Sequence, residues 1–185
     1  MRMNLLMLAL LAAPLFAADP LATFYEGQLK GVEGDVMGLA GAMPADKYNF
    51  GPTAGSFTGV RTFAQQAKHI ATIIYQVSAA ALNQKPLVDI GTTDNGPDAV
   101  RTKEQVLAYM KGAFAYAHKA IATLTAQNQM ETLKSPFGGT IPRVFTASFL
   151  PAHSFDHYGQ MVVYARMNGV VPPSSLPAPP PAAKK

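Results

Sequence analysis

Between positions 57 and 84 the chain sets Phe63, Ala67, Ile70, Ile74, Val77 and Ala81 three or four residues apart. A stripe of that period covers one face of an α-helix, and a strand, whose side chains alternate with period two, cannot bury it. A second stripe, Val106, Met110, Ala113, Ala117, Ile121 and Leu124, repeats the pattern in a helix expected from about Arg101 to Gln129. Two further helical stretches are expected, from Leu21 to Ala42 and from Thr146 to Met167. The first carries Gly27, Gly31, Gly34, Gly38 and Gly41, which weaken it but would let a neighbouring helix approach closely. In the last, Pro151 either opens the helix at its first turn or kinks it.

The segments between are rich in Pro, Gly, Asn and Asp and read as loops: "MPADKYNFGPTAGS", "KPLVDIGTTDNGPDAV" and "KSPFGGTIPRVF". No stretch sustains period-two alternation and none repeats. Four amphipathic helices sharing one core make an all-α four-helix bundle the economical fold, spanning residues 19–171. Residues 172–185, "PPSSLPAPPPAAKK", read as a disordered Pro-rich tail.

The first 18 residues place Arg2 ahead of an apolar run from Leu5 to Phe16, with Ala17 and Ala18 behind it. That is the layout of a signal peptide, and the run is too short to span a bilayer comfortably. The chain is therefore expected to be exported, periplasmic or secreted, with cleavage after residue 17 or 18 and no stable membrane span once the leader is gone. The absence of cysteine excludes disulfides and thiolate ligands, leaving any metal to nitrogen and oxygen donors. The net charge is +4, but Arg2, Lys184 and Lys185 lie at the ends; without them 12 basic residues face 11 acidic ones. No basic face remains for nucleic acid. The expected partner is a small-molecule substrate or ligand, with a homodimer as the one assembly considered.

The chemistry concentrates in the last helix. His153 and His157 are one helical turn apart, and Gln160 and Tyr164 fall on the same face. Two imidazoles so placed can take adjacent positions on one metal ion, although such pairs are more often exposed or hydrogen-bonded. A third ligand could come from His69, at the edge of the second helix's stripe, or from His118, which reads as a partly exposed helical histidine with no evident partner. Asp156, the one carboxylate of the last helix, is a candidate for an outer position behind the ligands or for a general base. Phosphate-binding loops, a G-x-S-x-G elbow, H-E-x-x-H and haem-attachment motifs are all missing.

"VRTFAQQAKHIATIIYQ", "AHSFDHYGQMVVYARMNGVVPPSS" and "MPADKYNFGPT" together resemble the DinB/YfiT-like superfamily of metal-dependent enzymes, and most closely its exported bacterial members. The likeness runs over most of residues 20–175, and H-x-x-x-H-Y-G-Q is its most specific part. It implies a four-helix bundle holding a divalent metal, Zn or Ni, on His69, His153 and His157, with Gly159 and Gln160 matching the family's G-Q. It implies too that Gly159 lets a neighbouring helix come close. Relatives of known chemistry include thiol-dependent transferases and isomerases. The expected function is a metal-dependent hydrolase or transferase; the alternative is a non-catalytic metal- or small-ligand-binding bundle of the cell envelope.

Overall fold

In the computed structural model, which describes residues 19–177, four helices surround one core. They are α1 (Pro20–Ala42), α2 (Phe63–Ala81), α3 (Lys103–Ile121) and α4 (Arg143–Met167). Helix α1 packs on α3 and α4, and α2 packs on the same two, so α1 and α2 lie diagonally across the bundle. No helix of the described residues is long and apolar enough to cross a membrane.

The helix boundaries follow from caps rather than from the apolar stripes. Helix α2 begins at Phe63 instead of 57 because Thr62 and Gln65 form a capping box: Gln65 N–H donates to Thr62 Oγ1 (3.3 Å) and Thr62 N–H donates to Gln65 Oε1 (2.9 Å). Thr102 and Gln105 repeat the device at the start of α3. Helix α2 stops at Ala81, and Asn83, in the left-handed region at φ 51°, turns the chain away. Helix α3 ends at Ile121, eight residues short of expectation, because Thr125 and Asn128 cap one another in a turn.

Two other expectations are corrected. The "KSPFGGTIPRVF" segment belongs partly to a small antiparallel hairpin, β1 (Thr132–Lys134) and β2 (Thr140–Pro142), with Leu133 opposite Ile141. Strands of three residues are too short to show alternation. Helix α4 begins at Arg143, so Pro151 lies inside it and opens nothing. The arginine that starts α4 also sets its position: Arg143 Nη1 donates to the Ala81 carbonyl (2.6 Å) at the end of α2, and Nη2 donates to Glu131 (2.7 Å). The start of α4 is thereby fixed against the end of α2, the two helices whose histidines matter below.

The first residues of the expected tail, Pro172 to Pro177, lie against the bundle. Pro172 is buried, a short 3-10 turn (Pro173–Ser175) packs on α1, and Ser174 and Ser175 hydrogen-bond Tyr158 and Arg166. Its remainder, residues 178–185, and the expected signal peptide, residues 1–18, lie outside the described residues.

The glycines of α1 do not bring helices together. A β-carbon added at Gly27, Gly31, Gly34 or Gly41 would meet nothing within 4 Å, and at Gly38 only Pro173 at 3.8 Å. Gly159 likewise faces open space. The close approach is at Gly112 of α3, where an added β-carbon would run into the hydroxyl of buried Tyr75. That contact lies between α2 and α3.

Candidate metal centre

His69 of α2 meets His153 and His157 of α4 across the α2–α4 seam. The ring centroids of His69 and His153 are 5.1 Å apart, those of His69 and His157 4.4 Å, and those of His153 and His157 4.5 Å. One nitrogen from each ring lies within 4.8 Å of the other two. Three histidines this close together could bind a metal ion, and no metal identity follows from their positions alone.

The tautomers are set from behind. His69 Nδ1 is 2.7 Å from the Asp94 carbonyl, which can only accept, so Nδ1 carries the proton and Nε2 keeps its lone pair. His157 Nδ1 likewise donates to Gln66 Oε1 at 2.7 Å, and Gln66 Nε2 passes the chain on to Gln160 Oε1 at 2.8 Å. Both rings therefore present Nε2 with its lone pair. His153 is held by packing: it stacks on Phe149 (5.2 Å, 13° between planes), which in turn stacks on Phe145 and meets Phe137 of the hairpin turn. Its Nε2 is buried with no hydrogen-bond partner. A polar atom orphaned beside two other imidazoles is what a ligand site looks like when nothing but protein fills it.

Burial keeps these rings neutral, the form that ligates. It pulls His153 down to about 3, helped by the charges of His157, His69 and Arg61. It pulls His157 down to about 4, helped by His69 and Arg61 and opposed by Asp156. His69 is also lowered, by burial first, against the raising effect of its bond to Asp94.

The segment that supplies Asp94 is stapled to α2. Lys68 Nζ donates to the Pro97 carbonyl (3.0 Å) and Arg61 Nε donates to Asn95 Oδ1 (2.8 Å). Gly96, at φ +77°, lies so close that an added β-carbon would sit 3.0 Å from Lys68 and from Thr72. Asp94 acts through its backbone, so no residue type in the sequence announces it. Gln66 could have been found, since it sits three residues before His69 and breaks the apolar surface of α2.

Of the residues expected around the ligands, Gln160 reaches His157 through Gln66. Tyr164 is buried against Phe50, edge-on at 5.9 Å, and does not belong to the histidine cluster. Asp156 is largely exposed, and its Oδ2 is 3.9 Å from His157 Nε2, too long for a hydrogen bond. It stands at the open side of the cluster rather than behind the imidazoles.

His118 is elsewhere, and it has partners after all: its Nδ1 and Nε2 each lie 2.8 Å from a carboxylate of α1, Glu26 and Glu33. Burial alone would lower its pKa, but the two carboxylates together raise it, while Glu26 is lowered by His118 against its own burial. A histidine with a raised folded pKa adds stability that is complete below its unfolded value of about 6.5 and lost as pH rises through the folded one. Glu26 contributes above its unfolded value and loses that as pH falls. His118→Gln should therefore cost up to about 1 kcal/mol near pH 5.5 and markedly less near pH 8.5. Thermal unfolding of parent and variant at both pH values reads it, and an equal loss at both would remove the ionic account.

The class defined by this geometry is a four-helix bundle with a three-imidazole cluster at one seam. The sequence model of the DinB superfamily matches residues 28–161, and the chain belongs to that superfamily. Among solved structures it is similar to a DinB-like protein from Bacillus cereus ATCC 10987, at 18% identity and a TM-score of 0.63, over 80% of this chain and 95% of that one. That likeness shows the fold. A comparison with curated protein sequences finds no match.

Proposed function

We infer that this chain binds one divalent metal ion on His69, His153 and His157 and acts as a metal-dependent hydrolase or transferase on a small molecule. The observation that carries the reading is the orphaned, buried Nε2 of His153 beside two rings whose Nδ1 protons are already committed, leaving their Nε2 lone pairs for a ligand. Neutral nitrogen donors suit Zn²⁺ or Ni²⁺. An ion there supplies Lewis acidity and makes a bound water more acidic. The residues around it do the rest: Asp94 and Gln66 orient the rings, Phe149 walls one side, and Asp156 stands at the open side within reach of a proton. The leader-like start of the sequence supports action outside the cytoplasm.

One observation favours a non-catalytic metal-binding bundle instead: the carboxylates near the cluster, Asp94 and Asp156, are both solvent-exposed, and neither side chain hydrogen-bonds an imidazole. Purification without a histidine tag followed by elemental analysis tests the shared part of both readings. One equivalent of zinc or nickel, removed by chelator and restored on addition, is expected; no metal and no uptake would end both. Turnover of simple esters, amides or thiol acceptors that disappears with the chelator then separates enzyme from binder.

A further inference from the structure

One turn from His157, Gly59, Val60, Arg61, Gln65, Gln66, Asn95 and Gln160 enclose an open cavity of about 570 Å³. Its lining contains one cation, four amides and no carboxylate. An amide can offer either sign, so the existing hydrogen bonds decide what each presents. Gln65 Oε1 is taken by the Thr62 N–H of the capping box, which leaves its NH₂ uncommitted. Asn95 Oδ1 is taken by Arg61 Nε, again leaving an NH₂. Gln160 Oε1 is taken by Gln66 Nε2, while both ends of Gln66 are spent between Gln160 and His157. Arg61 makes no ion pair among the described residues, and its two terminal nitrogens are unspent. Each side-chain carbonyl oxygen lining the cavity thus already accepts one hydrogen bond, and what remains without a partner is the guanidinium terminus and the NH₂ groups of Gln65 and Asn95. The Gln160 NH₂ is 3.5 Å from His157 Nδ1, which is itself a donor and leaves it free to turn to a ligand.

We propose that this cavity binds the oxyanion group of a small molecule, a carboxylate or phosphate, on Arg61 with Gln65, Asn95 and Gln160 donating around it. A planar guanidinium that keeps its two terminal nitrogens is suited to two-point recognition of either oxyanion. The orientation of Gln160 depends on the proton at His157 Nδ1, and so rests on the metal reading above; those of Gln65 and Asn95 do not. Because Gln66 and Gln160 also hold His157, an anion here sits against the residues that aim the candidate metal ligand.

The test uses the full-length chain in metal-free and zinc-loaded forms, titrated with succinate, inorganic phosphate and neutral succinamide. Binding is followed by the side-chain amide resonances of Gln65 and Asn95 and by calorimetry. Succinate or phosphate should bind the metal-free protein, moving those resonances, and succinamide should not; which anion binds tells carboxylate from phosphate. Arg61→Gln should weaken binding at least about tenfold. Gln65→Glu keeps the capping box but replaces a donor by an acceptor, so it too should weaken binding while circular dichroism stays unchanged. No binding tighter than about 10 mM, equal binding of succinamide, or indifference to Arg61→Gln would overturn the proposal. Arg61-dependent anion binding by a protein that takes up no zinc would uphold this site while removing the metal reading. Normal zinc uptake without anion binding would do the reverse.

Discussion

Alanine at His153, His157 or His69 is expected to weaken zinc binding by more than about 100-fold each, beyond the range typical of losing a residue behind the ligands. Each substitution removes one of three nitrogens that converge within 4.8 Å. His118→Ala should leave metal binding at the parent level, because His118 is spent between Glu26 and Glu33. Gln66→Leu should fall between: the three nitrogens remain, but His157 loses the acceptor that fixes its tautomer. Competition with a chromophoric chelator measures all five proteins, and full zinc affinity in His69→Ala would show that the cluster is packing rather than a site. Acid should act late. With burial holding His153 near 3 and His157 near 4, protons compete with metal only well below the usual imidazole range. The metal-free protein should lose stability as pH falls from about 6.5, since the unfolded chain takes up protons that the folded rings refuse.

The bundle and the three histidines were legible in the sequence for different reasons. The stripe of α3 carries the helical period plainly, because that helix has a polar side facing water and an apolar side facing the core, whereas α2 is buried on nearly every side and only its large apolar residues mark the period. His153 and His157 are visible as a pair because four residues make a turn; His69 entered through the likeness of the surrounding motif, since nothing in spacing links α2 to α4. The end points were misjudged wherever a hydrogen bond overrules hydrophobicity. Thr62 and Thr102 start helices, and the Thr125–Asn128 turn keeps α3 from reaching Gln129. The partners behind the imidazoles were the least legible. Asp94 contributes a carbonyl that any residue could provide, and Tyr164, which shares the face of His153 on an ideal helix, is drawn into the core by Phe50. Periodicity predicts which way a side chain leaves its helix but not which neighbour it meets there.

The glycines of α1 yield the second large effect, and its sign is the opposite of what a close-packing reading would give. Gly27, Gly31 and Gly34 are exposed in the middle of a helix and a β-carbon at each would touch nothing. Glycine there costs helix stability through the freedom of the unfolded backbone, with no contact returned. Helix α1 forms because Leu29, Val32, Val36 and Leu39 are fully buried against its neighbours and because Asp19 caps its first turn. Replacing all three glycines by alanine should therefore stabilise the protein by about 1.5–3 kcal/mol, raising Tm by roughly 4–10 °C. Gly112→Ala is the internal control. Its added methyl has to displace the buried Tyr75 hydroxyl, so it should cost about 1–3 kcal/mol despite the better helix propensity of alanine. Differential scanning calorimetry of the two variants decides the matter. A fall in Tm for the α1 triple variant would mean that a partner, such as a second copy of the chain, packs on that bare stripe and requires it bare.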